Sequence, residues 1–195
     1  MTIKKIKSEI ESSIDVKKIL LDDTLVLPKI LDLSNRCIAA LKNGGKIIFC
    51  GNGGSFADAQ HISAEFTSRF LFDRPGLASI ALGTNSSSMT AIGNDYGYRN
   101  VFSREIESIG NPNDILIAIT TSGNSLNIIE ALKAAKKKKI YSVVLTGKSI
   151  GKLPNGIDLI NVPSSITARI QESHILIGHI ICGIVEESIY GSEQN

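Results

Sequence analysis

The chain is short of cysteine, of net charge and of long hydrophobic runs, and each shortage removes a class of protein. Three cysteines in 195 residues (Cys37, Cys50 and Cys182), all in apolar surroundings, supply neither a disulfide framework nor a thiolate zinc spacing. Reduced, structural cysteines are expected, as in a cytoplasmic protein. Lys and Arg total 21 against 19 for Asp and Glu, and a formal charge of +2 is too small to imply nucleic acid as a partner. The longest apolar run, residues 175–185 with Gly178 and His179 inside it, is too short to span a membrane. The first 13 residues carry lysines but no continuous apolar core, so they are not expected to act as a signal peptide. Two nucleotide signatures are missing as well. The Thr120–Ser125 turn lacks the Gly-Lys-Ser/Thr ending of a P-loop, and Gly51-Asn52-Gly53-Gly54 lacks the third glycine of the dinucleotide fingerprint.

What remains is an ordinary globular composition, 43% hydrophobic and 21% charged. One domain is expected over residues 1–195, with N-terminal helices over 1–44 and an α/β core over 45–195. Residues 1–22 alternate charge with Ile and Leu at helical spacing, and a second helix is expected to end at Asn43-Gly44-Gly45. Strands are expected near 46–50, 78–83, 114–120, 140–145 and 157–162. These are nearly unbroken apolar runs, as required where both faces of a sheet are covered. Helices near 54–70, 86–93, 97–109, 124–138 and 165–190 fill the gaps, so the pattern predicts a parallel, doubly wound α/β sheet. The last helix is apolar nearly all round from Ile175 to Val185, which points to packing between subunits.

Two strand ends carry the chemistry. The first apolar run breaks into Gly51-Asn52-Gly53-Gly54-Ser55 and then into a helix, an arrangement that aims backbone N–H groups at an anion. On that helix His61 and Glu65 are four residues apart and share a face. The second, Thr120-Thr121-Ser122-Gly123-Asn124-Ser125, brings hydroxyls to a helix N-terminus beyond the carboxyl end of a strand, where open α/β sheets bind ligands. Hydroxyls and N–H groups can hold a phosphate monoester without lysine, so a compact ligand such as a sugar phosphate fits better than a nucleotide. The competing reading is that Ser122 and Ser125 only cap a helix.

The motifs GNGGS–ADAQH–AE, AIGNDYGY, TTSGNS, LTGK and ARIQESHILIGH, in this order, resemble those of the phosphoheptose isomerases, a group of sugar isomerase (SIS) domains. The resemblance covers nearly the whole chain. It implies a flavodoxin-like sheet, a homotetramer, a cytoplasmic role and one zinc ion per subunit. The reaction it implies converts sedoheptulose 7-phosphate to D-glycero-D-manno-heptose 7-phosphate, supplying nucleotide-activated heptose for bacterial surface polysaccharide. Carried over by position, the metal ligands fall on His61, Glu65, Gln171 and His179, and the proton-transferring pair on Glu65 and His179. Substrate contacts fall on Asn52, Gly53, Gly54, Ser55, Glu65, Asn94, Asp95, Thr120, Thr121, Ser122, Ser125 and Gln171. Phe56 follows the first turn where the family has smaller or polar residues, and would narrow the pocket.

Those residue types suit an aldose–ketose isomerisation, which moves a proton between adjacent carbons through an enediolate and needs a base, a partner for the oxygens and charge stabilisation. The rival within the fold is a non-catalytic SIS protein that binds the replication initiator, which resembles the isomerases less at the acid/base positions. A sugar-phosphate-sensing SIS regulator normally brings a DNA-binding domain as well. Spacing imposes one condition. Gln171 and His179, eight residues apart, are separated by about 12 Å of rise on a continuous helix. Either two subunits share each site, with the last helix supplying its half across a subunit boundary, or that helix begins after Gln171.

Overall fold

Short strands rich in Ile, Val and Leu alternate with helices, and the computed structural model, which describes residues 2–191, assembles them into one five-stranded parallel sheet. Met1, inside the first expected helix, lies outside the described residues. The strands are β1 (Ile47–Gly51), β2 (Ser79–Ala81), β3 (Ile115–Ile119), β4 (Tyr141–Thr146) and β5 (Asp158–Asn161), ordered β2-β1-β3-β4-β5. Each pair is parallel: Ile47 lies beside Ser79 and Ile115, and Ile115 beside Tyr141. This is the flavodoxin-like order, in which strand order reverses between β1 and β3. The helices are α1 (Ile3–Leu21), α2 (Val26–Lys42), α3 (Gly54–Thr67), α4 (Ser86–Tyr96), α5 (Val101–Ile109), α6 (Leu126–Lys137) and α7 (Thr167–Tyr190).

The pleat sorts each strand's residues onto two cores. Ile47, Phe49, Ile115, Ile117, Val143 and Leu145 face α1, α2, α3 and α7. Ile48, Cys50, Leu116, Ala118 and Val144 face α5 and α6. All three cysteines are free and buried, and burial pushes the Cys37 thiol up to about 12, so none offers a thiolate. Two expected elements change. Residues 97–109 begin as a 3₁₀ turn, Tyr98–Asn100, because Gly97 (φ 81°) ends α4 and the chain must restart. The helix expected over 86–93 continues to Tyr96, which puts Asn94 and Asp95 in its last turn rather than in a loop.

α3 and α7 run side by side in the same direction. Gln171 lies against Gly54, Gly178 against Ile62, and the Glu186 carboxylate accepts from the N–H groups of Phe70 and Leu71 at 2.8 and 2.7 Å. Glycine at 178 allows the close approach, since a Cβ there would stand 2.2 Å from Ile62 Cδ1 and force that side chain to shift. Arg74 completes the far end, donating to Glu186 Oε1 at 2.9 Å and to the Glu65 carbonyl at 2.8 Å. Burial alone would raise the Glu186 pKa. The two N–H donors and Arg74 outweigh it and hold the carboxyl below the usual carboxylate range. α1 is tied to α7 by Arg169, which reaches the Glu9 carbonyl and, at 2.6 Å, Glu172.

Candidate active site

The strand-order reversal puts the ends of β1 and β3 next to each other, and both glycine-containing turns emerge there. The turn after β1 passes through Gly53 (φ 56°) into α3, whose start has no side-chain cap. Ser55 is buried in the first turn, while Asn52 is half-buried and Gly53 and Gly54 are exposed. The turn after β3 is folded by its own side chains, with the Gly123 N–H donating to Thr120 Oγ1 and that of Asn124 to Ser122 Oγ, both at 3.3 Å. Gly123 (φ 67°) is needed because a Cβ there would lie 2.2 Å from the Ile150 carbonyl oxygen. Ser125 holds the N-cap position of α6, yet its hydroxyl makes no capping bond. The helix-capping reading therefore fails for Ser125, which leaves a free hydroxyl and an uncapped helix N-terminus facing the cleft. Thr121 is half-exposed and Ser122 exposed beside it.

The two turns are joined by Asn127, a residue that the reading of motifs passed over. It pairs with Asn52 through two amide hydrogen bonds of 2.9 and 2.8 Å. Asn52, Tyr98, Arg99, Ser125, Leu126 and Asn127 line a cleft of about 520 Å³. Asn94 and Asp95 are exposed and bond to each other at 2.8 Å. Phe56 does not close the cleft from above; its ring turns toward the Gly83 turn, 3.4 Å from where a Cβ would stand.

Farther along the same helix pair, His61, Glu65 and His179 converge. His61 Nε2 is 3.0 Å from His179 Nε2 and 3.3 Å from Glu65 Oε1. The rings meet edge to face at 5.2 Å, and Phe70 stacks on His179 at 5.4 Å, fixing its plane. Two imidazole nitrogens this close need a shared proton or a shared cation. All three ligand atoms lie within 4.8 Å of one another. Ligands at 2.0–2.1 Å from a tetrahedral zinc are separated by about 3.3 Å, so the trio fits a metal with an open fourth position. Asp58, one turn before His61, is half-buried with one carboxylate oxygen unpartnered. Burial raises its pKa, and nearby His61 opposes that.

His179 lies beside His61 and Glu65 of the same chain, which corrects the expectation for His179 alone that the last helix gives its half of the site across a subunit boundary. The reason is the parallel packing of α3 and α7, closed at Gly178. The alternative of a helix beginning after Gln171 is also overturned, since α7 starts at Thr167. Within the chain Gln171 stays at the glycine turn: a Cβ on Gly54 would lie 2.5 Å from its Nε2. His174 is fully buried, with Nε2 3.2 Å from the Thr146 carbonyl oxygen, and packs rather than ligates. Arg69 is exposed.

The SIS domain family matches residues 22–147. A phosphoheptose isomerase from Aneurinibacillus thermoaerophilus is 55% identical over 186 residues, covering 95% of this chain and 94% of the relative. This chain belongs to the phosphoheptose isomerase family. Solved phosphoheptose isomerases share its fold. The one from Francisella tularensis has a TM-score of 0.90 at 38% identity, covering 96% of this chain and all of that one. The one from Neisseria gonorrhoeae has a TM-score of 0.86 at 40% identity, covering 94% of this chain and 98% of that one. Glu65 and His179, the two positions on which the expected acid/base pair falls, offer side-chain atoms within 4.8 Å of each other.

Proposed function

We propose that this protein interconverts D-sedoheptulose 7-phosphate and D-glycero-D-manno-heptose 7-phosphate. The observation that carries the reading is the meeting of Glu65 and His179 beside two anion-facing turns, in a chain more than half identical to a phosphoheptose isomerase. The phosphate sits on Thr120, Thr121, Ser122, Ser125 and the α6 N-terminus, where the free Ser125 hydroxyl supports the assignment. Asn52, Gly53, Gly54, Ser55 and Gln171 contact the sugar, with Asn94 and Asp95 at its rim. The Glu65 carboxylate takes the proton from C1 of the ketose and returns it to C2 of the enediolate. His179 moves the hydroxyl proton between O1 and O2, so the atoms balance without a co-reactant. His61, Glu65 and His179 would hold one zinc per subunit, which would supply Lewis-acid polarisation of the carbonyl. Gln171 lies about 12 Å of helical rise from His179, so as a fourth ligand it comes from a neighbouring copy.

The assembly is a cytoplasmic homotetramer of one-domain chains. An exposed stripe of Ile3, Ile6, Ile10 and Ile14 on α1, and Leu176 and Ile180 flanking His179 on α7, support it. No helix among the described residues is long and apolar enough to cross a membrane. The test is incubation of the purified protein, with zinc supplied, with sedoheptulose 7-phosphate and assay of the heptose phosphate. Turnover that Glu65→Gln abolishes is the expected result, and no turnover by the unaltered protein would sink the assignment.

A further inference from the structure

The hydrogen bonds around Asn52 determine what its amide can offer a ligand. Asn127 is 4% exposed, at the second position of α6. Its Oδ1 accepts from the Ile128 N–H at 3.0 Å, a backbone donor that cannot reverse. That bond orients the Asn127 amide, so Nδ2 must point at Asn52, donating to Asn52 Oδ1 at 2.8 Å. Asn127 Oδ1 in return accepts from Asn52 Nδ2 at 2.9 Å. The Tyr98 hydroxyl donates to the same Asn52 Oδ1 at 3.1 Å. An amide oxygen has two lone pairs and an amide nitrogen two hydrogens. Both acceptor sites of Asn52 are therefore filled, and one N–H remains free.

We propose that Asn127 and Tyr98 are positioning residues that hold the Asn52 amide in a single orientation, leaving one N–H donor for a sugar oxygen in the cleft. This rests on the isomerase reading for the identity of the sugar. Reversing the Asn52 amide would set nitrogen against nitrogen and oxygen against oxygen across the Asn127 pair, replacing its two donor–acceptor contacts with one donor–donor and one acceptor–acceptor contact. The site is thus selective for an acceptor, a hydroxyl or developing oxyanion of the substrate, and poor for a group that can only donate. Because Asn127 stands on α6, directly after the Thr120–Ser125 turn, the same bonds fix the sugar-contacting turn relative to the phosphate-holding one.

The test is a double-mutant cycle on the full-length protein with sedoheptulose 7-phosphate, reading kcat/KM by turnover and Kd by calorimetry. Asn127→Asp keeps the shape and the acceptor but removes the donor, and is expected to lower kcat/KM by about ten- to a hundredfold. Tyr98→Phe, at an exposed position where folding is not at stake, is expected to cost about threefold. In an Asn52→Ala background each loss should shrink below about twofold, because a residue acting only through Asn52 has nothing left to position. Undiminished losses in that background would overturn the proposal, as would an Asn52→Ala variant with unaltered binding and turnover. Protein with the natural sequence that neither binds nor turns over the ketose phosphate would sink the isomerase reading instead, and the premise of the proposal with it.

Discussion

One pair of parallel helices carries two unlike ends. At the start of α3, Asn52 and Ser125 line a cleft braced by the buried Asn127, and Gln171 lies behind it against Gly54. Two turns farther on, His61 of the polar trio is half-exposed, and Leu71, Leu176 and Ile180, near the trio in sequence, are exposed apolar side chains. Apolar surface around charged groups is unfavourable in water unless something covers it. The difference teaches that the proposed sugar-phosphate contacts of the two turns are all supplied by one chain. The proposed proton transfer depends on that open end, and so on a neighbouring copy.

The largest effect should come from the reacting end. Glu65→Gln removes the base and one metal ligand, and should lower kcat by about 10²–10⁴-fold while KM stays within a few-fold. A variant keeping a tenth of the activity would break the division between the two ends. Next is the metal. Dialysis against a chelator should remove one ion per chain by elemental analysis and cost about a hundredfold or more in turnover, restored by zinc. His61→Ala should lower the bound metal in step. Binding of the ketose phosphate measured on the stripped protein should persist, because the cleft at the other end is intact.

The proposed assembly gives a third, smaller effect. Ile10→Glu on the exposed α1 stripe should shift the light-scattering mass from tetramer toward smaller species and lower kcat by about tenfold, through loss of the cover over the reacting end. Full activity in a monomer would show that one chain completes both ends.

The same division explains what was legible beforehand. The glycine turn, the hydroxyl turn and the strands signal themselves locally, through glycines at strand ends and unbroken Ile, Val and Leu runs, so the sheet and the cleft could be read within a few residues. His61 and Glu65 were visible as an i, i+4 pair. The placement of His179 was not, because it depends on the direction and register in which α7 packs on α3, a tertiary property carried by Gly178 and Ile62. Asn127 escaped for a related reason. A helix-interior asparagine has no sequence signature until its partner 75 residues away is known to lie opposite it. Asn94 and Asp95 fall beyond the helix expected over 86–93, which instead runs on to Tyr96 and is ended by Gly97.

His174 tests the packing beneath both ends. It is fully buried and burial depresses its pKa to about 4, so below its ordinary value of 6.5 the unfolded chain takes up a proton that the folded one refuses. Stability is complete above pH 6.5 and falls as the pH drops toward 4, by about 3 kcal/mol at most. Urea titrations at pH 7 and pH 4.5 should show the loss, and His174→Gln should flatten that part of the profile. An unchanged slope would mean that another group sets the acid limit.

Gly178→Ala should have the smallest effect and the most local one. The added Cβ would stand 2.2 Å from Ile62 Cδ1, so Ile62 must change rotamer or the helices must separate. The cost is about 1–3 kcal/mol, or roughly 2–4 °C in Tm for each kcal/mol in a chain of this size. Separation at Gly178 moves His179 away from His61 but leaves the Gly54–Gln171 contact two helical turns behind. kcat should therefore fall while KM holds. An equal change in both would show that the helix pair shifts as one body, and the two ends would then be mechanically a single site.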